Sequence, residues 1–178
     1  MKILAIDSSG LVATAAIVED NNLIAEYTIH HKKTHSQTLM PMLEEVKNMV
    51  ELDLNSVDAI AVASGPGSFT GLRIGAATAK GLAMGLRKPI IEVPTLEGMA
   101  YQMYGSQALV CPIMDARRNQ VYTGLYQFEE GESDYVMSTL KEGCACDIME
   151  CIQTANSFEQ PVIFLGDGMP VFEALIKE

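Results

Sequence analysis

Apolar residues recur at two different periods along this chain, and the switches between them mark out its elements. Lys2 to Asp7 is a short apolar run that ends in Asp7-Ser8-Ser9-Gly10, and residues 12–19 form a second apolar stretch. Asn21-Asn22 is a turn signal before a third stretch near 23–30, so the opening reads as a meander of three strands. From His35 to Glu51 the period becomes helical. Leu39, Met42, Leu43, Val46 and Val50 fall on one face, and Ser36 is the predicted N-cap. Residues 58–63 are continuously apolar, as in a buried strand, and an alanine-rich helix follows over 70–86, stopped by Arg87-Lys88-Pro89. A strand at 90–93 and a helix from Thr95 to Tyr104 complete a first lobe, residues 1–104.

Gly105-Ser106 reads as the boundary to a second lobe, residues 105–178. Here strands are predicted at 108–114 and 120–128, and the polar stretch Glu129 to Asp134 forms a hairpin loop. The pattern then weakens: a strand near 135–138, a helix near 144–154, a strand at 161–165, and the turn Gly166-Asp167-Gly168 into a terminal helix. Three antiparallel strands followed by helix, strand, helix and strand is an α/β order.

The join between strand 58–63 and the alanine-rich helix is dense in glycine: Ser64-Gly65-Pro66-Gly67-Ser68-Phe69-Thr70-Gly71-Leu72-Arg73-Ile74-Gly75. Two readings fit. Free N–H groups at the helix start can cradle a phosphate, or the glycines permit close packing of strand, turn and helix. The Walker pattern is absent, and Gly65, Gly67 and Gly71 do not have the spacing of the dinucleotide fingerprint. Ser68 or Thr70 can cap the helix.

Composition narrows the partners. The chain is 48% hydrophobic over 178 residues, enough for one domain or two small lobes, and its formal charge is −11. That charge disfavours direct contact with nucleic acid. The apolar part of the N-terminus is too short for a signal peptide, and no window has the length of a membrane span, so a cytoplasmic protein is expected. Cys111, Cys144, Cys146 and Cys151 contain no C-x-x-C pair, which favours free thiols over a metal site.

Six segments occur in this order: Met1 to Ser9, His35 to Pro41, Gly65 to Gly75, Val93-Pro94-Thr95-Leu96-Glu97, Met114-Asp115-Ala116-Arg117-Arg118-Asn119-Gln120-Val121-Tyr122, and Gly166-Asp167-Gly168. Together they strongly resemble the TsaB (YeaZ) family across essentially the whole chain. The resemblance implies an actin-like ATPase fold (ASKHA, ribonuclease H-like) of two lobes. It also implies a non-catalytic scaffold that binds TsaD in threonylcarbamoylation of adenosine 37 in tRNA. TsaD would hold ATP and the metal and transfer the threonylcarbamoyl group from the adenylate made by TsaC. The TsaE ATPase would be a further partner, tRNA would be met only through the complex, and a homodimer would form without TsaD. The family usually continues well past the Gly-Asp-Gly turn, so an incomplete second lobe is expected. TsaD's metal-binding His-x-x-x-His motif falls here on Thr95 and Met99, neither a suitable ligand, so no metal and no cofactor are expected on this chain.

The resemblance places Asp7, Ser8, Ser9 and Gly67 where an actin-like ATPase holds nucleotide phosphate, as vestiges. The plainer reading is an aspartate forming a turn and serines satisfying backbone groups. The rival function is an enzyme in its own right, a weak ATPase or a glycoprotease-type peptidase. H-E-x-x-H and G-x-S-x-G are both missing, and no catalytic residue is assigned.

The partner surface is expected on the two long helices. Gly75, Ala79 and Ala83 recur every fourth residue and let another helix approach closely, with Leu72 and Ala76 beside them. Leu39, Met42, Leu43 and Val46 are the first helix's contribution, although such a face also suits packing on the chain's own sheet. Asp115, Arg117 and Tyr122 read as an ion pair beside a core tyrosine. Arg73 either binds an acidic partner group or pairs with Glu97 or Asp7.

Overall fold

The computed structural model describes residues 1–31 and 34–177. They form two compact units, Met1–Thr95 and Leu96–Glu178. In the first, β1 (Lys2–Asp7), β2 (Ala13–Glu19) and β3 (Asn22–Ile29) make the antiparallel meander. Next come α1 (His35–Met49), β4 (Ala59–Gly65), α2 (Phe69–Leu86) and β5 (Ile90–Pro94). The sheet order is β3-β2-β1-β4-β5, and β4 runs parallel to both β1 and β5.

The alternation in β1 and β2 is what one covered face requires. Leu4, Ile6, Ala13, Ala15 and Ile17 join Ile60 and Val62 of β4 in one cluster with both helices. Helix α1 contributes Leu39, Met42, Leu43 and Val46, each stabilising the fold by about 1.5–3 kcal/mol if fully buried. Its N-cap is Thr34, not Ser36, and the Thr34 carbonyl accepts from Gln37 N–H at 2.9 Å. Helix α2 starts as one of the two expected caps allows, with the Ser68 hydroxyl accepting from Gly71 N–H at 3.2 Å. It ends on Arg87 in the left-handed conformation, φ 55°.

In the second unit, α3 (Thr95–Ala100) and a short 3-10 turn (Tyr101–Met103) lead into β6 (Leu109–Arg117), β7 (Gln120–Glu130) and β8 (Tyr135–Asp147). Then come α4 (Ile148–Asn156), β9 (Val162–Leu165) and α5 (Met169–Ile176), with sheet order β8-β7-β6-β9. Residues 96–104, assigned to the first lobe by sequence, group with this unit. Leu96 and Ala100 share a core with Val110, Met114, Tyr126 and Phe128. On the sheet's other face, Leu109, Cys111, Ile113 and Leu125 pack with Ile148, Cys151 and Phe172 of α4 and α5.

Strand β8 is much longer than the predicted 135–138, and α4 begins at Ile148 rather than near Cys144. The pairing of β8 with β7 shifts register near Thr123 to Tyr126, and many β8 residues are exposed at the sheet edge. An irregular edge strand shows no clean alternation. Asp147 caps α4, its carboxylate accepting from Met149 N–H at 2.8 Å. The order β-β-β-α-β-α thus occurs twice, each time with the first strand between its antiparallel partner and a parallel one. This duplicated α/β arrangement is the actin-like fold that the sequence resemblance implied.

Candidate functional site

The glycine segment meets the loop after β1. Asp7 ends the strand in a turn closed by its own carboxylate, which accepts from Ser9 N–H at 2.8 Å. The loop then lies on the start of α2: the buried Ser8 hydroxyl donates to the Gly71 carbonyl at 2.9 Å, and Ser68 N–H donates to the Ser9 carbonyl at 2.6 Å. This approach is the reason for glycine. A Cβ on Gly71 would lie 2.0 Å from the Ser8 carbonyl oxygen, and one on Gly67 would lie 2.4 Å from that of Ser9. At Gly75 it would come within 2.6 Å of the Ser8 hydroxyl. Thr95 Oγ1 accepts from Gly65 N–H at 3.2 Å, beside the cis Gly65-Pro66 bond, and His35 Nε2 lies 2.9 Å from the Gly10 carbonyl.

Ser8, Ser9 and Gly67, from the expected phosphate set, are therefore brought together, while the Asp7 side chain is exposed and turned to its own loop. The Ser8 hydroxyl and the Ser9 N–H and carbonyl are engaged within the chain. These contacts pack the loop closely on the helix, as the second reading of the glycine segment expects. Thr95 and Met99 serve structure as well: Thr95 accepts the Gly65 bond, and Met99 packs beside the core of the second unit.

The helix surface differs from the expected one in which residues face outward. Gly75, Ala79 and Ala83 form the buried row of α2 and lie against its own sheet. Leu39, Met42, Leu43 and Val46 are likewise core. Apart from Leu43, which also lines a surface groove, these residues are covered because α1 and α2 must cover the apolar face of the sheet first. Leu72 and Ala76 remain partly exposed on one flank of α2.

The outward face of α2 carries a second row of small residues, Ala77, Gly81 and Gly85, again four apart. A Cβ on Gly81 or Gly85 would meet nothing within 4 Å. Phe69 and Met84 flank this row, 68% and 80% exposed. Along α1 runs a groove of about 430 Å³, lined by Met40, Pro41, Leu43, Glu44 and Lys47, by Leu52 and Leu54 beyond the helix, and by Leu82 from α2. On the other flank, Phe69, Leu72, Ala76, Lys80, Ile90 and Glu92 line a groove of about 450 Å³. The sequence carried the signal for the outward row, since it has the same four-residue spacing as the inward one.

The Arg73 guanidinium lies 3.9 Å from the centroid of the Phe69 ring, a cation–π contact. Asp115 and Arg117 do pair, Oδ2 to Nη1 at 3.7 Å, but the Arg117 side chain is 87% exposed and the pair contributes little. Tyr122 packs at the edge of the core around Leu96. Asp167 accepts from Asp115 N–H at 3.2 Å, and a Cβ on Gly166 would lie 2.4 Å from the Ile113 carbonyl oxygen, so the Gly-Asp-Gly turn fits closely onto β6. All four cysteines are free thiols. Among the described residues no group of three His, Cys, Asp or Glu side chains could hold a metal ion, and no helix is long and apolar enough to cross a membrane.

Residues 22–178 match the family model TsaD, tRNA N6-adenosine threonylcarbamoyltransferase. The chain is 38% identical to the tRNA threonylcarbamoyladenosine biosynthesis protein TsaB of Bacillus subtilis, over all of its own length and 76% of that protein's. It is 36% identical to the Escherichia coli protein of the same name, over 73% of this chain and 57% of the relative. Among solved structures, YeaZ from Pseudomonas aeruginosa superposes with a TM-score of 0.67 at 29% identity, covering 81% of this chain and 66% of that one. With motifs, duplicated topology and relatives in agreement, the chain belongs to the TsaB (YeaZ) family.

Proposed function

We propose that this chain acts in the synthesis of threonylcarbamoyladenosine in tRNA as a non-catalytic scaffold, binding a TsaD-type subunit through the outward face of α1 and α2. The role follows the names its relatives carry. The observation that supports the surface is the open row Ala77, Gly81 and Gly85, flanked by Phe69 and Met84 and bordered by the groove against α1. Gly81 and Gly85 on an exposed helix face cost helical stability, and no residue of the row contributes to the chain's own core. They do allow a second helix to approach closely, and Met40 and Met84 supply adaptable apolar area. ATP, metal and the transfer reaction belong to the TsaD partner, with TsaE and tRNA joining the assembly. Without TsaD the same face pairs two copies of this chain about a two-fold axis.

The test is light scattering on a sizing column, with this chain alone and mixed with its cognate TsaD. The expected result is a homodimer that converts to a one-to-one complex. Ala77→Glu should fold normally and abolish both assemblies, because a buried unpaired charge is costly. An Ala77→Glu variant that still binds TsaD would sink the surface. A wild-type chain that ignores TsaD would sink the scaffold role.

A further inference from the structure

In the core of the second unit, Cys111 of β6 and Cys151 of α4 bring their sulfurs to 3.7 Å. Thr123 Oγ1 of β7 completes the cluster, 3.4 Å from Cys111 and 3.5 Å from Cys151. Both thiols are buried, but a crevice of about 10 Å³ reaches them, lined also by Lys141 and Thr154. That is room for one water and less than a peroxide needs, so reaction with peroxide waits on local opening of α4 from the sheet. We propose that Cys111 and Cys151 are a peroxide-reactive dithiol that closes to an intramolecular disulfide.

The roles of the two sulfurs differ. The hydrogen bond shared with Cys111, with help from Thr123 and Lys141, draws the Cys151 thiol below its ordinary value, against burial and the Glu150 carboxylate. Cys111 is pushed up by the same hydrogen bond and by burial, and burial first, then Cys151 and Cys144, pushes Cys146 up to about 12. Cys151 is therefore the thiolate that attacks. Its sulfur takes one oxygen of hydrogen peroxide; the O–O bond breaks, and the departing hydroxide becomes water with the proton the thiol released. Cys111 then attacks the sulfenic sulfur. The S–S bond forms, and the hydroxyl leaves as a second water with the Cys111 proton. Two thiols are oxidised and one peroxide is reduced to two waters. The bond needs the sulfurs to close to about 2.05 Å, and it would tie β6 to α4.

The test treats the intact chain with hydrogen peroxide, unfolds it, alkylates it with N-ethylmaleimide and maps the peptides by mass spectrometry. The expected product has lost two hydrogens, blocks Cys111 and Cys151 from alkylation, and yields a cross-linked peptide that dithiothreitol releases. The rate should rise with pH as the Cys151 thiol, drawn below its ordinary value by Cys111, ionises. Cys151→Ser should abolish the cross-link and Cys146→Ser should leave it. If Cys151→Ser fails to fold, the peptide map of the unaltered chain still decides. Full alkylation of both thiols after peroxide, or a first product joining Cys144 to Cys146, would overturn the proposal.

Discussion

At the scale of single residues, glycine plays two opposite roles in α2. Gly71 and Gly75 are where a loop and a helix touch, with carbonyl and hydroxyl oxygens of Ser8 in the space a Cβ would take. A Cβ on Gly81 or Gly85 would meet nothing within 4 Å. A pair of alanine substitutions separates the roles. Gly71→Ala should lose about 3 kcal/mol or more, since backbone must move to make room. Gly81→Ala should gain about 0.5–1 kcal/mol from helix propensity alone. Urea unfolding of both variants measures this, and equal effects would refute the assignment. The sequence displays all four glycines within fifteen positions and contains nothing that tells them apart.

Among the elements, α2 shows how a helix can be read correctly and faced wrongly. Its span was predicted to within one residue, because apolar period, cap and stop signal are local. Its orientation is set by the sheet it covers. Ala79 therefore sits at 0% exposure, and Ala79→Glu, the natural probe of a partner face, should unfold the unit instead of testing binding. Ala77→Glu is the informative change. The helix end offers another check. Arg87 adopts the left-handed conformation, and Lys88 N–H reaches back to the Ala83 carbonyl at 2.9 Å. Glycine is the favoured residue there. Arg87→Gly should raise stability by about 1 kcal/mol, seen as a higher melting temperature. A fall would mean that the Arg87 side chain does something its backbone does not explain.

For the molecule as a whole, charge sets the terms of contact with tRNA. A formal charge of −11 repels phosphate, so the chain alone should not retain tRNA on a filter at physiological salt. Retention that weakens steeply with salt would point to a basic surface of its own. Adding TsaD should restore binding if the assembly supplies the grip. The duplicated topology bears on the second unit as well. Its sheet was legible except at β8, where register shifts and an exposed edge erased the alternation.

The amino-acid sequence by itself determined the order and type of the elements, the α/β class and the family. Hydrophobic period, turn residues and motif spacing are all properties of neighbours along the chain. Tertiary structure decided three things that depend on distant residues. It turned Gly75, Ala79 and Ala83 inward and Ala77, Gly81 and Gly85 outward, because only the covering of the sheet tells one small-residue row from the other. It engaged Ser8 and Ser9 with the start of α2, because two loops sixty residues apart in sequence meet there. It also brought Cys111 and Cys151 side by side, a pairing that no sequence spacing encodes, since β6 and α4 meet only when the sheet and its covering helix assemble.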